Sequence, residues 1–217
     1  LKKKNKYIYK VDGYDKKLKN NSDIFYNFKE KILDKKLVKI INLTKTKKLI
    51  NFTNDYSRLK KTKVVVVSIN FHFLKNNYDL SFKKIKNLFL KIAQNINKDC
   101  LIFIETTLPP GTSEKIIIPE IKKIFKRRNL NTKKILFAHS YERVTPGKDY
   151  YNSIVNINRC FAGYNENSSK ECYKFLKSFI NTEKYKLFRF KKIIDCEAAK
   201  ILENSYRAIN IALIDEW

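Results

Sequence analysis

The 217-residue sequence predicts an α/β fold with a doubly wound parallel sheet. Three observations lead to it. Short β-branched and aromatic runs alternate with stretches of helical spacing. Two of these runs, Val64-Val65-Val66-Val67 and Leu101-Ile102-Phe103-Ile104, are continuously apolar, as strands covered on both faces are. No internal repeat and no Pro/Gly/Ser-rich linker divides the chain, so one domain with an exit helix accounts for it.

Residues 7–15, ending Val11-Asp12-Gly13-Tyr14-Asp15, read as a strand that stops at an acidic turn. A helix near residues 28–36 and a short strand near 49–52 follow, and then the buried strand 63–69. Helical spacing of Leu80, Ile85, Leu88, Ile92 and Ile96 leads into the strand 100–104. Gly111-Thr112-Ser113 opens a helix to about residue 128, with Thr112 or Ser113 as the expected N-cap. Strands are expected at 134–139, 158–163 and 186–190, with a helix at 168–179 before the last. From about residue 194 one long helix runs to the end, with Ala198, Ile201, Leu202, Ile209, Ala212 and Leu213 apolar. The chain begins at Leu1, contains no methionine and ends within this helical run, so both ends read as internal to a longer protein.

The net charge of +26 raises nucleic acid or an anionic membrane as a partner. The lysines are spread along the whole chain, however, and accompany an abundance of Asn, Ile, Tyr and Phe, so the charge reads as solvated surface and neither partner is expected. Residues 2–19 are the one dense basic stretch. Cys100, Cys160, Cys172 and Cys196 form no CxxC pair, which argues against a metal site and a disulfide framework and fits a reducing cytoplasm. No apolar run approaches the roughly 20 residues a bilayer requires.

Ligands of open parallel sheets sit at the carboxyl ends of the strands, and four polar segments fall there. Asp15 ends the first strand, where a carboxylate can accept both hydroxyls of an adenosine ribose or can simply close an acidic turn. Glu105-Thr106-Thr107-Leu108-Pro109-Pro110-Gly111-Thr112 leads into a helix N-terminus, able to hold a polar ligand or an ordinary cap. Ser140-Tyr141-Glu142-Arg143 sets a carboxylate and a guanidinium after a hydrophobic strand, as an acid/base group or as a local ion pair. Lys200 and Asn204 lie one turn apart on the last helix, flanked by small and apolar residues.

These segments, in this order, resemble the UDP-glucose/GDP-mannose dehydrogenase family. Thr106-Thr107-Leu108-Pro109-Pro110-Gly111-Thr112 resembles its E-S-T-x-x-P-G-T segment, and residues 140–147 its S-P-E-R-x-x-P-G loop. Residues 196–204 resemble its A-E-x-x-K-x-x-x-N helix, Val11-Asp12-Gly13-Tyr14-Asp15 its V-x-G-x-D strand, and Tyr78-Asp79-Leu80-Ser81 its P-D-L-S helix start. The resemblance implies a Rossmann-type NAD-binding domain over residues 1–192, lacking its first strand and glycine-rich turn. It implies that residues 193–217 start the central helix of a homodimer. The implied cofactor is NAD and the substrate a UDP- or GDP-linked sugar, whose C6 alcohol is oxidised in two steps to a uronate for polysaccharide biosynthesis.

By the same resemblance Asp15 binds the adenosine ribose, Ser68 and Asn70 line the nicotinamide side, and Thr106 and Thr107 contact the cofactor and a catalytic water. Glu142 serves acid/base chemistry, and Lys200 and Asn204 stabilise an oxyanion. The family's second oxidation passes through a thiohemiacetal on a cysteine expected after Trp217, with Cys196 left as a small packing residue. Tyr141 stands where the family has proline, and Ser68-Ile69-Asn70-Phe71 lacks the family's proline. The implied parent is an enzyme, with this chain inactive alone; a non-catalytic nucleotide-binding module, or a degenerate relic of such an enzyme, is the alternative.

Overall fold

The computed structural model describes residues 2–3, 6–7, 9–15, 34–69, 78–145 and 147–217. In chain order the elements are β1 (Lys2–Lys3), β2 (Lys6–Tyr7), β3 (Val11–Tyr14), α1 (Lys35–Thr46), β4 (Ile50–Thr53), β5 (Val64–Val67) and α2 (Tyr78–Asn95). Then come β6 (Leu101–Ile104), a π-helical turn (Ser113–Ile117) running into α3 (Ile118–Arg127), and β7 (Leu136–His139). The chain closes with α4 (Tyr150–Val155), β8 (Arg159–Gly163), α5 (Glu166–Lys177), β9 (Leu187–Arg189) and α6 (Ile193–Glu216). They fall into two units, one of Leu1–Tyr56, Arg143–Ile157 and Lys177–Tyr185, the other of Ser57–Glu142, Asn158–Leu176 and Lys186–Trp217.

In the first unit β3 and β4 pair in parallel, with Val11 opposite Ile50 and Tyr14 opposite Thr53. The helix expected at 28–36 falls mostly on residues 28–33, which lie outside the described residues; the described helix that follows is Lys35–Thr46. Asp34 explains the start. Its Oδ1 accepts the amides of Lys36 and Leu37 at 2.8 and 3.0 Å, an N-cap, while Oδ2 accepts the Tyr151 amide at 2.7 Å. Those bonds hold the Asp34 carboxyl below the ordinary range.

The second unit is organised on a five-stranded sheet in the order β5-β6-β7-β8-β9. β5, β6 and β7 are parallel in one register, Val67 beside Ile104 beside His139. The helical spacing predicted around Ile85, Ile92 and Ile96 places all three in the core, together with Phe89. Ile117, Ile118, Ile121, Ile124 and Phe125 are buried likewise from the π turn and α3. β6 is covered on both faces as its apolar run implies, with all four residues buried. β5 is not: Val66 is 43% exposed, and among the described residues β5 is the edge strand of this sheet.

One strand direction departs from the sequence expectation of an all-parallel sheet. β8 runs antiparallel to β7, with Ala138 opposite Gly163 and His139 opposite Ala162, and β9 is parallel to β8. A parallel neighbour needs a crossover that returns the chain to the strand's starting end, and α5 supplies one between β8 and β9. After β7 the chain instead leaves this unit at Glu142 and re-enters at Asn158, beside the end it left. The reversal carries the first residue of β8, Arg159, to the carboxyl end of β7. Among the described residues no helix is long and apolar enough to cross a membrane, and no cluster of His, Cys, Asp and Glu has metal-binding proximity.

Candidate functional site

Three strand exits meet at the carboxyl edge of the second unit's sheet. The β6 exit is pinned to the β5 exit: the Glu105 amide donates to Val67 O at 3.0 Å, and Thr106 Oγ1 lies 2.8 Å from Ile69 O and 3.2 Å from Val67 O. It is pinned to β7 as well, since the Ser140 amide donates to Ile104 O at 2.9 Å and His139 Nε2 lies 3.1 Å from Thr106 O. A carbonyl only accepts, so Nε2 carries the proton, and Nδ1 is buried without a partner among the described residues. Burial lowers the His139 pKa from 6.5 to about 4, with the Arg159 charge adding to the effect against the Thr106 bond.

Arg159 is 5% exposed and spans two of the exits. Its Nε donates to Ser140 Oγ and its Nη2 to Ser140 O, both at 3.0 Å, and Nη2 forms an ion pair with Glu105. Ser140 Oγ in turn donates to Cys160 O at 2.7 Å. Neither Arg159 nor His139 stands out in the sequence; the available signal is a basic residue opening an otherwise apolar strand, Arg159-Cys160-Phe161-Ala162.

The Pro109-Pro110-Gly111 turn does lead into a helix N-terminus, but neither Thr112 nor Ser113 caps it. Thr112 is already in helical conformation and its hydroxyl donates back to Pro109 O at 2.6 Å. The cap comes from α6, where Glu197 Oε2 accepts the Gly111 amide at 2.6 Å and Oε1 the Ser113 amide at 2.9 Å. Gly111 sits at φ +89°, a conformation that favours glycine. These amides, expected to hold either a ligand or an ordinary cap, are thus taken by a protein carboxylate, whose pKa burial raises against the pull of the amides.

Glu197 is one of four buried residues on the first turns of α6, with Ile193, Cys196 and Lys200. Cys196 packs as expected, its thiol 3.4 Å from His139 O, and burial pushes that thiol up to about 12. Lys200 is 8% exposed; its Nζ donates to Glu142 O at 2.7 Å and lies 3.9 Å from Glu142 Oε1. The ring of Tyr141, buried at the position where the family has proline, lies 5.4 Å from the same ammonium. A buried ammonium is costly without such partners, and here a carbonyl, a carboxylate and an aromatic face converge on it.

Of the residues predicted from sequence, the structure therefore brings Glu142 and Lys200 together. Thr106 is buried between the β5 and β6 exits, Thr107 follows it half-buried, and Asn204 is half-buried one turn beyond Lys200. Ser68 is exposed just after β5, and Asn70 lies outside the described residues. Asp15 belongs to the first unit, exposed at the carboxyl end of β3, where its amide donates to Thr53 O at 3.1 Å.

A doubly wound sheet whose strand exits gather polar side chains defines a nucleotide-binding α/β protein. The sequence model described as UDP-glucose/GDP-mannose dehydrogenase family, NAD binding domain, matches residues 1–180, and the chain belongs to that family. It is 28% identical over 213 residues to a UDP-N-acetyl-D-mannosamine dehydrogenase of Pyrococcus horikoshii, covering 96% of this chain and 47% of that protein. It is 38% identical over 117 residues to one of Methanococcus maripaludis, covering 54% of this chain and 24% of that protein. In fold it is similar to the Pyrococcus horikoshii UDP-D-ManNAc dehydrogenase structure, with a TM-score of 0.78 at 24% identity over 96% of this chain and 47% of that one. A ternary complex of GDP-mannose dehydrogenase from Pseudomonas aeruginosa gives 0.79 at 15% identity over the same shares. The chain spans about half the length of the first of these relatives.

Proposed function

We propose that this chain is the cofactor-binding part of an enzyme that uses NAD to oxidise the C6 alcohol of a UDP- or GDP-sugar, in two steps, to a uronate. The observation that carries the reading is the buried Lys200 ammonium, 3.9 Å from the Glu142 carboxylate at the carboxyl end of β7. NAD, when bound, supplies the hydride acceptor. The residues present suit it: an exposed carboxylate at the end of β3, Asp15, has the acceptor oxygens that two ribose hydroxyls require, and a 2′-phosphate would be repelled there. Ser68 and Asn70 are the proposed nicotinamide-side contacts, and Thr106 and Thr107 the proposed contacts to cofactor and a catalytic water.

Loss of hydride from an alcohol leaves negative charge growing on its oxygen. Lys200 and Asn204 donate to that oxygen, while Glu142 takes the hydroxyl proton. Lys200 is held for this work by Glu142 O and the Tyr141 face, so that its ammonium is oriented before substrate arrives. Because relatives are named for UDP-N-acetyl-D-mannosamine, that sugar is the first to try among the UDP- and GDP-sugars.

The apolar side chains exposed on α6, Leu202, Tyr206, Ile209, Leu213 and Ile214, support a homodimer built on this helix, and four free cysteines support a reducing cytoplasmic setting. The test is to express the full-length protein that contains this chain and supply NAD with a panel of UDP- and GDP-sugars. The reading expects NADH from at least one sugar at two per sugar consumed; absence of NADH across the panel overturns it.

A further inference from the structure

We propose that Arg159 is a positioning residue that sets the distance between the loop carrying Thr107 and the loop carrying Glu142. The inference rests on the catalytic reading of those two loops. Its observations are separate from it. Because β8 runs antiparallel to β7, its first residue arrives at the carboxyl edge of the sheet rather than at the opposite edge. There the guanidinium is 5% exposed and its donors are divided between two strand exits. Nε and Nη2 hold the side-chain and main-chain oxygens of Ser140, two residues before Glu142, at 3.0 Å each. Nη2 also pairs with the carboxylate of Glu105, two residues before Thr107.

A planar fork of fixed geometry can satisfy these acceptors together; an ammonium is a point charge and cannot span them with the same angles. The Phe103 ring, 5.9 Å from the guanidinium carbon, lies against the fork from β6. Arg159 is bonded to Glu105 and Ser140, each two residues short of a proposed reacting group, Thr107 and Glu142. It acts on them through residues 105 and 140, and the interaction that Lys200 makes with Glu142 O depends on where the Ser140 loop is held. A misplacement on the order of 1 Å at a reacting group lowers turnover by roughly 100-fold.

The experiment is a double-mutant cycle on the full-length protein, with kcat and KM for NAD and sugar measured for wild type, Arg159→Lys, Glu142→Gln and the double variant. Arg159→Lys is expected to lower kcat by about 10- to 100-fold with KM for NAD changed less than about threefold. In the Glu142→Gln background the same substitution is expected to lower kcat clearly less than in the wild type, because the part of the loss that acts through the Glu142 carboxylate is already gone. Ser140→Ala, which removes one acceptor and keeps the charge pair, is expected to fall between wild type and Arg159→Lys, and it carries the test should Arg159→Lys fail to fold. Equal losses from Arg159→Lys in both backgrounds, or an unchanged kcat in Arg159→Lys or in Ser140→Ala, overturn the positioning role. If Glu142→Gln itself turns over at the wild-type rate, the catalytic reading fails instead.

Discussion

His139 offers a stability test whose size follows from its surroundings. The ring is fully buried, Nε2–H donates to Thr106 O, and Nδ1 has no partner among the described residues, so protonation would place an unpaired charge in the core. Its pKa is lowered from 6.5 to about 4. A histidine depressed in the folded state takes up its proton more readily when unfolded, so stability is undiminished above the unfolded value and falls as pH drops from 6.5 toward 4. At about 1.36 kcal/mol per pKa unit, with the folded group half-protonated at the lower limit, the loss is about 3 kcal/mol. Urea denaturation of this chain and of His139→Gln, followed by far-ultraviolet circular dichroism from about pH 7.5 down to pH 4, reads it directly. The wild type is expected to lose about 3 kcal/mol more than the variant over that window. Parallel curves for the two proteins, or a His139 imidazole resonance titrating near 6.5, would refute the reasoning.

Glu197→Ala removes the acceptor of two buried amides, Gly111 and Ser113, and should cost about 1–3 kcal/mol for each amide orphaned, with Glu197→Gln recovering part; thermal denaturation measures both. Because burial raises the Glu197 pKa, its contribution is fully present below the ordinary carboxylate range and lost as pH rises through the folded value, a dependence the Gln variant should lack. Gly163→Ala places a Cβ 2.3 Å from the Ser169 amide nitrogen, rigid backbone that cannot rotate away, and should destabilise by about 1–3 kcal/mol in the same assay. Burial pushes the Cys100 and Cys196 thiols up to about 12, so both should react with a thiol reagent at neutral pH only as fast as the protein unfolds.

Much of this architecture was readable from periodicity and punctuation. The apolar runs of β6 and β7, the spacing of α2 and the turn before Gly111 are local signals that survive folding because they bury the surface they advertise. Lys200 near Glu142 came from a resemblance in motif order, and the fold brings the two within 3.9 Å. What escaped was non-local. Strand direction leaves no mark on a five-residue run, so the reversal of β8 and the arrival of Arg159 at the functional edge were invisible. The cap on the helix after Gly111 comes from Glu197, 84 residues after Ser113, while local chemistry pointed to Thr112 or Ser113. The valines of β5 read as covered on both faces, yet among the described residues Val66 is 43% exposed.

Lys200 carries the proposed chemistry most directly. In the full-length protein, with a sugar nucleotide that supports NADH formation, Lys200→Ala should lower kcat by about 10²–10³ while leaving the circular dichroism spectrum and NAD affinity unchanged, since one donor to the developing oxyanion is gone. A variant that makes NADH at the wild-type rate would contradict it.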